Sequence, residues 1–309
     1  MSRKRISIAN FNAVFVSGQE EKPLLEYFDT IFMPALTERR IRVSGDSSYR
    51  IMNILVQEKY NEYILSGIIV KKTILEIKSD LDEEGNLIEK DEKIPTAPYS
   101  TFVIYLKNHR MIYAENQKGS PDLRSFRATV QYILNEYIRD KHEEVKELPI
   151  PIIHVTGIPS RQKLRETLKE AEKVKKLTLR FYPLNGDLEF PDVLDGIVTD
   201  LRKMVGSKNG EIVLKSPKNI PGIIDVVEKS EGTVEAIFNV QYPGKRDVTI
   251  NNEIISERME IDVESDTLQG EVNQIIDKGK DIDSLKYVSQ GNKEVYEANQ
   301  AKIIPFYRH

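Results

Sequence analysis

The chain of 309 residues contains no cysteine. Disulfides, cysteine-ligated zinc and thiol catalysis are therefore excluded. Histidine is scarce. His109, His142, His154 and His309 stand far apart and never show the His-x-x-x-His spacing of a helical metal site. No apolar run approaches the roughly 20 residues of a membrane helix. The basic start, Met1 to Ile8, is not followed by the apolar stretch of a secretory leader. A soluble, cytoplasmic protein with no membrane partner is the expectation, and the abundance of Ile, Lys, Asn and Glu suggests an AT-rich, bacterial genome. Gly-x-Gly-x-x-Gly and Walker loops are also missing, and Val155 to Ser160, between a predicted strand and helix, holds one glycine only.

What is present suits a folded protein. Apolar residues make up 39% and charged residues 30%, enough to bury a core and stay soluble. The length suits two domains of about 150 residues. A pI near 5.8 argues against a protein that coats nucleic acid over its whole surface, but leaves room for a local basic groove.

Hydropathy periods divide the chain. Alternation at Ile6 to Val16 predicts a strand with a bulge near Asn10 to Asn12, and residues 24–32 have helical spacing. Strands follow in 39–43, 49–58 and 62–79, then an acidic hairpin or loop over 80–94. A hairpin over 100–115 and a helix from 120 to 138 complete a first unit. In that helix Ser120 is the expected cap and Pro121 the first helical residue. The second half alternates strand and helix, with strands at 150–156, 176–182, 211–215, 233–241 and 254–263. The predicted class is α+β: two α/β-sandwich-like domains with mixed or largely antiparallel sheets. The boundaries are 1–147, 148–265, and 266–309 for a helix near 267–279 followed by a polar tail.

The densest chemistry lies in residues 99–127. Lys107, Arg110, Lys118, Arg124 and Arg127 face only Glu115 and Asp122, a local +3 in a chain of net charge −4. Arg124 and Arg127, three apart, share a helix face, and guanidiniums match phosphate oxygens in bidentate fashion. With His109 they form the expected nucleic-acid or anion-binding set, with Tyr105 or Tyr113 stacking on a base. The plainer alternative is a solvated face with Arg110 paired to a carboxylate such as Glu115. His109 could act as an acid or base, or be an exposed turn residue. Further basic concentrations lie at Arg3, Lys4 and Arg5, at Arg39, Arg40 and Arg42, and at Lys245 and Arg246. The first two would extend the island if their strands paired.

Two acidic patterns complete the candidates. Glu76-Ile77-Lys78 resembles the Glu-x-Lys half-motif of magnesium-dependent nucleases, with Asp46 as the preceding aspartate. Asp187 and Glu189, with Asp192 and Asp195, could gather oxygens for a hard cation, or be turn and helix-start residues. The reading favoured by the residues is a non-enzymatic protein that binds DNA, RNA or another polyanion without a cofactor. A place in a bacterial antiviral or mobile-element system is expected from its class alone. The alternatives are a nuclease using Mg2+ or Mn2+ at Glu76 and Lys78, and an oligomeric scaffold or protein-interaction subunit whose tail, 280–309, docks on a neighbour.

Overall fold

A computed structural model describes residues 2–18, 20–141, 148–185, 198 and 201–307. In chain order the strands are β1 (Ser2–Ser17), β2 (Glu20–Pro23), β3 (Ile41–Ser44), β4 (Ser47–Lys59), β5 (Glu62–Leu81), β6 (Leu87–Thr96), β7 (Tyr99–Tyr105), β8 (Arg110–Glu115), β9 (Ile150–Gly157), β10 (Lys173–Phe181), β11 (Gly210–Lys215), β12 (Val234–Gln241), β13 (Val248–Ile250) and β14 (Arg258–Val263). The α-helices are α1 (Met33–Thr37), α2 (Leu123–Lys141), α3 (Arg161–Lys169), α4 (Leu201–Val205), α5 (Ile220–Lys229), α6 (Asn252–Ile255), α7 (Leu268–Gly279) and α8 (Gln290–Ile303). The fold is α+β, with two antiparallel sheets. No helix among the described residues is long and apolar enough to cross a membrane.

The large sheet runs β14-β1-β8-β7-β5-β4-β3, and β1 is its spine. Residues 2–7 of β1 pair with β14 and residues 9–16 with β9, both on one side. On the other side residues 5–10 pair with β8 and residues 14–17 with β2. The pairing with β9 passes through Asn10 to Asn12 without a shift of register, and that with β8 ends regularly at Asn10, so the expected bulge is absent. The asparagines mark a change in what covers that face of the strand. Ile6 and Ile8 meet apolar side chains of α7, whereas Asn10 and Asn12 meet the second sheet. Strand alternation puts all four on one face.

The β7–β8 hairpin is buried on both faces. Phe102, Ile104 and Leu106 join a core with Phe126, Val130 and Ile133 of α2. Val103 and Tyr105 join another with Val272, Ile275 and Ile276 of α7. The sheet is thus sandwiched between helices, and both faces of the hairpin are core. The irregular turns of residues 24–37 replace the single helix expected there, a 3-10 turn and a π turn leading into α1.

The smaller sheet runs β11-β10-β12-β13. Leu177, Leu179 and Phe181 of β10, with Ala236 and Phe238 of β12, face Leu164 and Leu168 of α3 and Ile223, Ile224 and Val227 of α5. Two strands assigned by sequence to the second unit, β9 and β14, lie in the large sheet alongside β1. The tail, expected to dock on the body or on a partner, packs on the body. Ser289 caps α8, Tyr296 and Ile303 enter the first core, Tyr296 Oη accepts the Tyr63 N–H at 2.9 Å, and Lys302 Nζ donates to the Glu26 carbonyl. Residues 290–307 therefore lie on their own body.

Candidate anion-binding cavity

The basic island of residues 99–127 is divided by the fold. Arg110 is 2% exposed, and its guanidinium is bound by the Glu231 carboxylate and carbonyl, not by Glu115. His109 has left-handed backbone at φ 55°, a conformation histidine tolerates better than most residues, and it is fully buried rather than an exposed turn residue. Its carbonyl accepts the Phe11 N–H. Tyr105 and Tyr113 are core residues, and the Tyr113 hydroxyl donates to the Pro121 carbonyl, so neither offers a face to a base. Lys107 is half-buried beside Glu62, and Lys118 is exposed in the loop before α2.

Arg124 and Arg127 remain. Both are exposed on the first turns of α2, which Asp122 caps by accepting the Ser125 N–H at 2.7 Å. Ser120, the expected cap, closes the preceding turn by accepting the Gln117 N–H. The two arginines line a cavity of about 90 Å³ together with His154 and Thr156 of β9, Tyr182 just past β10, Glu235 of β12 and the start of α6. The cavity lies at the seam of the two sheets.

Strand alternation explains who faces it. Ile153 and Val155 of β9 turn toward the α2 core, so His154 and Thr156 turn toward the smaller sheet. On β12, Val234 and Ala236 face α3 and α5, so Glu235 faces the seam. Asn252 locks the two strands together. Its side chain donates to the Gly157 carbonyl at 3.1 Å and accepts the Ala236 N–H at 2.7 Å. Gly157 has no room for a side chain, because a Cβ there would lie 2.6 Å from that of Ser256.

The electrostatics of the cavity are unusual. Arg127 Nε donates to the Ile153 carbonyl at 2.9 Å, which anchors the stem of the guanidinium. Among the described residues neither Arg124 nor Arg127 has a carboxylate partner. His154 is 7% exposed, stacks on Tyr182 and makes no hydrogen bond among the described residues. Burial and then the Arg127 charge push its imidazole down to about 3, so it is neutral. The Tyr182 hydroxyl donates to Glu235 at 2.9 Å, and burial, followed by the Glu235 charge, pushes it up to about 12. Two guanidiniums, two carboxylates (Glu235 and Glu253) and a neutral ring thus converge on one small space.

The other candidates are not brought to this cavity. Glu76 and Lys78 lie on the exposed β5–β6 ribbon, where the Glu76 carboxylate sits 3.3 Å from Lys93 and 3.6 Å from Lys78. Asp46 is in the β3–β4 turn, and the described residues contain no group of three acidic or histidine side chains able to hold a metal. Asp187, Glu189, Asp192 and Asp195 lie outside the described residues. The Arg3–Arg5 and Arg39–Arg42 groups do not join, since β8, β7, β5 and β4 separate β1 from β3, and Lys4 is buried against Glu271 at 2.7 Å. His154, Tyr182 and Glu235 carried no local motif. A scarce histidine beside the Thr156-Gly157 strand end was the one available signal.

The fold and the cavity define an α+β protein with a pocket between its sheets that is lined by two arginines and two glutamates. Residues 4–223 match a family described as a domain of unknown function (DUF4747), and the chain belongs to that family. The match includes Arg124, Arg127, His154 and Tyr182, while Glu235 and α6 lie beyond it. No curated protein matches the chain.

Proposed function

We propose that the protein binds nucleic acid through the seam cavity, with Arg124 and Arg127 as its phosphate contacts. The observation that supports this reading is the convergence of two guanidiniums, neither paired with a carboxylate among the described residues, on a cavity that also presents the His154 imidazole. Guanidiniums left without carboxylates are suited to phosphate oxygens. The other cations of the island are taken up by structure or stand apart, so the contact set narrows to these two.

Fluorescence anisotropy with labelled DNA and RNA at two salt concentrations tests the reading. Binding should weaken with salt, and Arg124→Ala/Arg127→Ala should reduce the logarithmic salt slope by about one unit per arginine. Absent binding at low salt, or binding unchanged in the double variant, would overturn it.

A further inference from the structure

Resting on the nucleic-acid reading above, we propose that the cavity takes a terminal phosphate monoester of a strand rather than a phosphodiester in mid-strand.

Size is the first argument. A cavity of about 90 Å³ holds about three waters at roughly 30 Å³ each. That is the scale of one phosphoryl group, so the attached sugar and base must remain outside. A mid-strand phosphate continues into chain on both sides, whereas an end needs a single exit.

Charge is the second. A phosphate monoester carries about −1.5 to −2 at neutral pH, and a diester carries one negative charge. Arg124 and Arg127, neither ion-paired among the described residues, supply two positive charges on one wall. Glu235 and Glu253 line the remaining wall. A strand running through the cavity would bring its next phosphate toward these carboxylates, and like charges brought together disfavour that pose.

The third is His154. The ring lines the cavity, is more than nine-tenths buried and makes no hydrogen bond to the described residues, so its N–H is available to a ligand atom there. Neutral imidazole offers one N–H, which suits a phosphate oxygen between the two arginines.

Anisotropy competition among oligonucleotides of one sequence, bearing a 5′-phosphate, a 3′-phosphate or hydroxyls at both ends, tests the proposal. One phosphorylated form should bind about tenfold or more tightly than the hydroxyl form, the gain expected from an added charge-assisted hydrogen bond. The 5′ and 3′ arms identify which end is taken. His154→Phe, which keeps the ring on Tyr182 but removes the donor, and Arg124→Gln, on the exposed helix face, should each shrink that preference. Equal affinity for all three forms, with loss in the arginine variants, would leave nucleic-acid binding standing and overturn the terminal-phosphate inference. A preference unchanged in both His154→Phe and Arg124→Gln would also overturn it. No binding of any form at low salt would remove the underlying reading itself.

Discussion

His154 and Tyr182 lie ring on ring, with centroids 3.3 Å apart and planes 19° from parallel, one on β9 of the large sheet and the other just past β10 of the smaller one. The pair is both a wall of the cavity and a contact across the seam. Its removal should therefore affect stability and binding together. Tyr182→Ala is expected to cost about 2–4 kcal/mol, from lost aromatic burial plus the pair term. Tyr182→Phe keeps the stack, loses only the bond to Glu235, and should cost about 1 kcal/mol. Urea unfolding of the two variants measures both.

The pH dependence of stability should contain two opposed contributions. His154 has a folded value of about 3 against an ordinary 6.5, so between those values the unfolded chain binds the extra proton. Its contribution is fully present above pH 6.5 and is lost as pH falls toward 3, with a slope approaching about 1.4 kcal/mol per pH unit. Glu62 runs the other way. Burial raises its carboxyl to about 7 from 4.5, with Lys107 opposing the rise, so the native state holds the extra proton and stability falls as pH rises through that window. The two partly cancel between pH 4.5 and 6.5. Glu62→Gln should steepen the loss of stability on acidification in that range, and denaturant titrations at several pH values would reveal an unchanged slope if the assignment of Glu62 is wrong.

Arg110 should behave as a structural cation, unlike Arg124 and Arg127. Glu231→Ala would leave a guanidinium that is 2% exposed with only a carbonyl as partner, and is expected to cost about 3–5 kcal/mol. The folded fraction should still bind labelled nucleic acid with the wild-type salt slope. A reduced slope in Glu231→Ala would place Arg110 among the phosphate contacts after all.

Gly157→Ala tests the closeness of β9 to α6. The new methyl would meet the Ser256 Cβ at 2.6 Å, and the strand must move or the helix must lift. A loss of about 1–3 kcal/mol in thermal or urea unfolding is expected. The shift also displaces Asn252, which joins β9 to β12, so affinity at the cavity should fall with it. Wild-type stability in this variant would show that the seam is looser than its packing indicates.

The tail gives a test of a different kind. Tyr296→Phe removes the acceptor of the Tyr63 N–H and should destabilise the protein by about 1–3 kcal/mol. Truncation before α8 would strip Tyr296 and Ile303 from the first core, so light scattering should report aggregation of the truncated chain. A truncated chain as stable as the full one would restore the tail to the role of a free arm.

Much of the secondary structure was determined by the sequence itself. The period of two in Phe102, Ile104 and Leu106 and the helical spacing of Phe126, Val130 and Ile133 reflect backbone geometry, which any partner would have to meet. The helical spacing also put Arg124 and Arg127 side by side. Which charges would be free was a tertiary decision, because burial and pairing depend on residues far away in the chain. Arg110 is bound by Glu231, 121 positions away, and Lys4 by Glu271. The large sheet was decided the same way. Hydrogen bonding along β1 recruits β9 and β14 from the second half of the chain, and backbone groups that pair across such distances leave no local pattern. The cavity is the sharpest instance. His154, Tyr182 and Glu235 each look ordinary in their own segment, and only the packing of one sheet against the other turns them toward the space that Arg124 and Arg127 also line.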